Sequence, residues 1–170
     1  MRILDDSGFP MMSEAEVQTI DNLLEKLQPK NCLEWGSGNS TVYFPKKHSC
    51  IKYWLAMEHN RTYFELLGDY LLKDVAEIKV ITDFNYVSYP ATLEKKFDFI
   101  LVDGLWRMEC VDKAFSVVSD GGVILLHDAF RQESAKIVEK YKGKYTVLSQ
   151  GEKLLNTGYY AHRGLISFDL

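Results

Sequence analysis

Five carboxylates punctuate the chain, each at the end of a short apolar run: Glu34, Glu58, Asp83, Asp103 and Asp128. Carboxylates bind sugar hydroxyls, take protons from attacking oxygens and ligate divalent cations, so a series like this is a candidate chemical site if the fold gathers it. Other reactive or binding groups stand beside them. Gly36-Ser37-Gly38-Asn39-Ser40-Thr41 follows Glu34 almost at once, and a Gly-x-Gly turn lets the backbone bend sharply and present free N–H groups to a ligand. Glu58 comes about 20 residues further on, the spacing at which an acid reaches both hydroxyls of a ribose. His59 follows it, His127 precedes Asp128, and Trp106-Arg107 closely follow Asp103-Gly104.

The elements that must position these residues are legible from their periodicity. Ser13-Glu14-Ala15-Glu16 is a capping box. It predicts a leading helix to about Leu27, with Val17, Ile20, Leu23, Leu24 and Leu27 on one face and Pro29 as its stop. Residues 31–35, 53–58, 78–82, 97–103 and 122–127 read as strands, with helical spacing at Tyr63, Phe64, Leu67, Tyr70 and Leu71 and again at Met108, Val111, Phe115 and Val118. Strand alternating with helix predicts a parallel sheet with right-handed crossovers. The unbroken apolar runs Phe99-Ile100-Leu101-Val102 and Val123-Ile124-Leu125-Leu126 belong at its centre, covered on both faces. A helix over 131–141 and strands over 145–149 and 159–168 complete the pattern, the last two close enough to pair antiparallel. Residues 150–152 and 156–158 read as loops beside them, and 84–96, with Pro90 and no clean period, reads as a loop as well.

In an open α/β sheet, ligands bind beyond the carboxyl ends of the strands, which is where all five acids fall. The 170 residues are expected to form one domain, 1–170, of which 1–30 is the leading amphipathic helix. A net charge of -4 opposes a phosphate-gripping surface, so nucleic acid is not the expected partner. Cys32, Cys50 and Cys110 form no C-x-x-C pair and fit a reducing cytoplasm. No apolar run approaches the ~20 residues of a membrane span. Self-association is left open.

Taken in order, Glu34-Trp35-Gly36-Ser37-Gly38-Asn39-Ser40-Thr41, Glu58-His59-Asn60, Asp83, the 97–104 strand ending Asp103-Gly104, and Asp120-Gly121-Gly122 leading to His127-Asp128 resemble the class I S-adenosylmethionine-dependent methyltransferases over residues 31–170. The resemblance implies a Rossmann-like three-layer α/β sandwich with a mostly parallel seven-stranded sheet and an antiparallel last strand. It implies S-adenosylmethionine as cofactor, with Glu34 and the Gly36, Ser37, Gly38, Ser40 and Thr41 loop toward its methionine portion. Glu58 would hold the ribose, His59 would stand beside ribose or adenine, and Asp83 and Phe84 would border the adenine. Asp103 would sit where cofactor and acceptor meet. Ser40 replaces a third glycine found in many members, and Asn-Pro-Pro-Tyr, which serves amino-methylating enzymes, does not follow the fourth strand. The acceptor implied is a small molecule methylated on oxygen or carboxyl.

An oxygen acceptor needs a base, for which Asp103, His127 and Asp128 are the candidates. His127 reads equally as a residue that only bonds locally at its strand end. The same three groups can converge on a divalent cation, although Ala129 follows Asp128 where catechol-type members carry Asn, and no metal is expected. Trp106 and Arg107 either contact the acceptor or merely open the next helix. Phe84, Tyr86 and Tyr89 either wall its pocket or cover a sheet edge. Two rival functions remain: a nicotinamide-dependent oxidoreductase, opposed by Thr41 at the third glycine of G-x-G-x-x-G, and a non-catalytic cofactor-binding module that needs a partner.

Overall fold

The leading helix α1 (Glu14–Leu27) starts where its sequence dictates: the Glu16 N–H donates to Ser13 Oγ at 3.2 Å while the Ser13 N–H donates to the Glu16 carboxylate at 3.0 Å. Val17, Ile20 and Leu24 form its buried face. Asp21, also buried, ties it to the next helix by accepting from Lys47 Nζ at 2.6 Å and pairing with His48 Nε2 at 2.7 Å. The chain continues through β1 (Asn31–Trp35), α2 (Asn39–Lys47), β2 (Tyr53–Glu58), α3 (Arg61–Leu67), β3 (Ala76–Val80), α4 (Asn85–Ser88), β4 (Phe97–Val102), α5 (Arg107–Val117) and β5 (Val118–His127). It then forms α6 (Ala135–Lys140), β6 (Tyr145–Ser149), β7 (Glu152–Lys153), β8 (Tyr160–His162) and β9 (Leu165–Phe168). This computed structural model describes residues 8–150, 152–153, 160–162 and 164–170. The 156–158 loop expected from sequence lies outside them, as do parts of the 150–152 loop and of the 159–168 strand.

Seven strands form one sheet in the order β3-β2-β1-β4-β5-β9-β6; β1 to β5 run parallel, and β9 is antiparallel to both β5 and β6. The expected three-layer α/β sandwich is therefore present, with β7 and β8 as a separate antiparallel pair. Alternation along the strands divides the core into two layers. Leu33, Trp35, Leu55, Met57, Ile100 and Val102 pack with α5 and α6 on one face, while Cys32, Trp54, Ala56, Phe99 and Leu101 pack with α1 and α2 on the other. Burying both faces explains why β4 and the second half of β5 are apolar without alternation.

Several boundaries differ from the sequence expectation. β3 spans Ala76–Val80 rather than 78–82, β4 stops at Val102, and the helix expected over 131–141 is a 3-10 turn over Gln132–Ser134 followed by α6. β5 begins at Val118 rather than 122, where Asp98 at the start of β4 accepts from Ser119 Oγ at 2.9 Å and from the Lys30 and Asn31 N–H groups at 2.8 and 3.0 Å. That carboxylate holds the amino-terminal edge of the sheet together. Residues 84–96 are not a loop but α4 followed by a 3-10 turn over Tyr89–Leu93. Each piece is too short to show a period, yet Tyr86 is wholly buried in the core and Trp35 Nε1 donates to its carbonyl at 3.1 Å.

Candidate active site

Strand order reverses between β1 and β4, which opens a crevice beyond their carboxyl ends. Its floor is made of two glycines back to back. Gly36 has φ +98°, and a Cβ there would lie 2.7 Å from Gly104 Cα; a Cβ on Gly104 would lie 2.8 Å from Gly36 N and closer still to the Tyr86 hydroxyl. Only glycine permits both the left-handed turn and this approach. Above the floor is a cavity of about 350 Å3, and a second of about 390 Å3 adjoins it, the two sharing Gly104, Leu105, Arg107 and Arg131 as lining. Both fall in the size range of small-molecule sites.

On the β1–β2 side the acids are held by neutral donors. Glu34 is fully buried beneath the glycine turn, where it accepts from Ser40 Oγ, from Thr41 Oγ1 at 2.6 Å and from Trp54 Nε1 at 2.9 Å. Burial pushes its carboxyl up to about 7 against those three bonds. Thr41 in turn accepts from the Gly38 N–H at 3.0 Å, so Glu34 fixes the turn from below. Glu58 lines the cavity, with Oε2 accepting from the Ser37 N–H and hydroxyl at 3.1 and 2.6 Å and Oε1 from the His59 and Asn60 N–H groups at 2.8 and 2.7 Å.

On the β4–β5 side the groups are charged. His127 is buried between two carboxylates: Nδ1 lies 2.9 Å from Asp103 Oδ1 and Nε2 3.7 Å from Glu16 Oε2 of α1. Burial opposes its charge, but Asp103 and Glu16 outweigh it and raise the imidazole to about 10. Burial likewise works against Glu16, yet His127 and the Ser13 donors bring it down to about 2. Asp103 is also lowered, His127 and then Arg107 overcoming its desolvation. Arg107 Nη2 stands 3.1 Å from Asp103 Oδ1 and 3.7 Å from Asp128 Oδ2, and Arg131 Nη1 is 3.1 Å from the latter. Asp128 takes a left-handed φ of 54°, which turns its carboxylate back toward the two arginines.

Of the residues singled out from sequence, Gly36, Ser37, Gly38, Ser40, Glu58, His59, Asp103 and Arg107 line the first cavity; Trp106 and Arg107 line the second. Four others stand outside these two linings. Glu34 and Thr41 are spent on holding the turn and line neither cavity. Asp83 accepts from the Asn85 N–H at 2.9 Å to open α4, and Phe84 is exposed against Trp106; neither lines these two cavities. The charge that Asp103 and Glu16 favour on His127 leaves its imidazole without a lone pair to offer, which weighs against it as the base. Nor does His127 or Asp128 line either cavity. Sequence reasoning missed Met11, Met12, Asn39, Asn60, Tyr63 and Arg131 as lining residues, and Glu16 as the partner of His127. Asn39 and Asn60 lie within motifs already quoted; Arg131 carries no motif, and the capping box that contains Glu16 gives no sign of His127.

No protein-family model matches the chain, and no curated protein matches it in sequence. Its backbone, however, superposes on solved methyltransferases over nearly its whole length. A putative caffeoyl-CoA O-methyltransferase from Staphylococcus aureus gives a TM-score of 0.65 at 17% identity, covering 95% of this chain and 86% of that one. The fold is that of the class I methyltransferases. An rRNA methylase from Streptococcus thermophilus shares it with a TM-score of 0.61 at 16% identity, over 94% of this chain and 98% of that one. So does a precorrin-6y C5,15-methyltransferase from Geobacter metallireducens, at 0.59 and 18%, over 97% and 94%. Among the described residues no helix is long and apolar enough to cross a membrane.

Proposed function

We propose that the chain transfers a methyl group from S-adenosylmethionine to an oxygen or carboxyl of a small-molecule acceptor. The observation that carries this reading is the pair of adjoining cavities at the switch point, one bounded by the glycine turn and Glu58, the other by Trp106 and the two arginines, with Gly104 common to both. The donor set of the first suits the cofactor. Its glycine floor leaves room for close backbone approach, and Glu58 stands at its wall with Ser37 on one oxygen. Ser37 and Glu58 would take the ribose hydroxyls, the Ser37 hydroxyl turning to a ribose oxygen; His59 and Tyr63 would border the nucleoside. Bound there, the cofactor supplies an electrophilic methyl on a sulfonium.

The remaining work is alignment and charge. Asp103 lines the cofactor cavity next to Gly104, and its carboxylate, kept ionised by His127 and Arg107, accepts a hydrogen bond from an acceptor hydroxyl. Its low basicity suits orientation better than retention of the proton, which leaves to solvent. A carboxylate acceptor needs no proton removed at all, in keeping with a mouth whose imidazole is already charged. His127 is a positioning residue, acting through Asp103.

Titration calorimetry with S-adenosylmethionine, S-adenosylhomocysteine and NAD tests the reading. Binding of both sulfur compounds and not of NAD is the expected result. Binding of NAD alone, or of none of the three by folded protein, overturns it.

A further inference from the structure

Asp103, His127 and Asp128 each bring one donor atom within 4.8 Å of the others, a spacing that a divalent ion with ~2.0–2.6 Å bonds would span. A cation already stands among them. Arg107 Nε donates to the Gly104 carbonyl at 3.0 Å, Nη1 to the His127 carbonyl at 2.7 Å, and Nη2 to the Asp103 carbonyl and carboxylate at 3.2 and 3.1 Å, with Asp128 Oδ2 a further 3.7 Å contact. Every guanidinium nitrogen is engaged, and the side chain is 14% exposed.

We infer that Arg107 is the resident cation of this cluster, its guanidinium taking the place between Asp103 and Asp128 that a divalent ion would otherwise fill, so that the site works without metal. Two carboxylates at the tips of adjacent strands repel unless a positive charge lies between them. A planar fork supplies that charge and also ties down the carbonyls of Gly104 and His127, which hold the ends of β4 and β5 in register. Arg131 then neutralises the outer side of Asp128. Four of the five guanidinium N–H groups of Arg107 are thereby committed to the protein, which favours a structural role for it over direct contact with an acceptor. This inference stands on the cluster's geometry alone and does not depend on methyl transfer.

The test is a Mn2+ titration of the wild type and of Arg107→Ala, read by electron paramagnetic resonance and by thermal unfolding. The wild type is expected to show no site and no change in Tm. Arg107→Ala is expected to unfold at lower temperature, to bind Mn2+ at least about tenfold more tightly than the wild type, and to regain Tm as it does; adding Asp128→Asn should remove the gain. A wild-type Mn2+ site that Asp128→Asn abolishes would overturn the inference, because the ion would then share or displace the guanidinium. So would folded Arg107→Ala that gains no site. If Arg107→Ala folds only with Mn2+ present, the inference is supported. If it folds in neither condition, Arg107→Gln replaces it in the same titration, and failure of Mn2+ to rescue that variant too counts against the inference.

Discussion

The β1–β2 tips and the β4–β5 tips each carry two acids and hold them by opposite means. Glu34 and Glu58 are fixed by hydroxyls, an indole N–H and backbone amides. Asp103 and Asp128 are fixed by two arginines and an imidazolium that itself leans on Glu16. Neutral donors set a shape that salt scarcely alters, whereas a charged cluster is shape and electrostatics at once. The first half suits a ligand that is always the same; the second suits the place where charge must be managed during a reaction.

Removing the imidazolium is the severest way to break that contrast. His127→Ala leaves Asp103 and Glu16 without their shared cation and is expected to cost about 3–5 kcal/mol in denaturant unfolding. Its pH profile gives the sign. His127 is raised from 6.5 to about 10, so its stabilisation is complete below pH 6.5 and lost as pH rises through about 10. Glu16, lowered from 4.5 to about 2, stabilises above pH 4.5 and ceases to as pH falls through about 2. His127→Ala should therefore flatten the alkaline limb of the Tm–pH curve between those limits; an unchanged limb would show that the imidazole is neutral in the folded protein.

A smaller effect, of the same sign but at lower pH, is expected on the other half. Glu34 is raised from 4.5 to about 7, so its contribution is full below pH 4.5 and declines as pH rises through about 7. Glu34→Gln should remove that decline while retaining the packing, which thermal melts across pH 4–8 would reveal. Glu58→Gln is expected to weaken S-adenosylhomocysteine binding by about 1.5–3 kcal/mol, tenfold or more, the scale of hydrogen bonds to a charged group; equal affinity would remove Glu58 from the cofactor's contacts. Least of all, Asp83→Ala should change stability by under about 0.5 kcal/mol and leave that affinity unaltered. A calorimetric loss there would return Asp83 to the site.

What the sequence made legible was position along the sheet: β1, β2 and β4 end where their apolar runs end, and the acids beyond them fall at one edge. What it concealed was direction. Glu34 lies between Leu33 and Trp35, which point into the α5–α6 layer, so alternation sends its side chain the other way, toward Trp54 and the first turn of α2. That signal was present in the strand's period, with Ser40 and Thr41 in α2's first turn as the receiving groups. No local signal marks Glu16, whose capping box is complete without His127; the contact exists only because α1 packs beside β5's end. Tyr86 was hidden for a different reason, since one helical turn is too little to show a period.

The strand order carries a consequence for how the protein is made. β9 lies between β5 and β6 although both precede it in the chain, so while the polypeptide emerges, β5 presents an open edge and β6 has nothing to pair with. The nascent protein must carry that exposed seam, a template for unwanted strand pairing, until residues 165–168 have been synthesised and slid into place as the keystone.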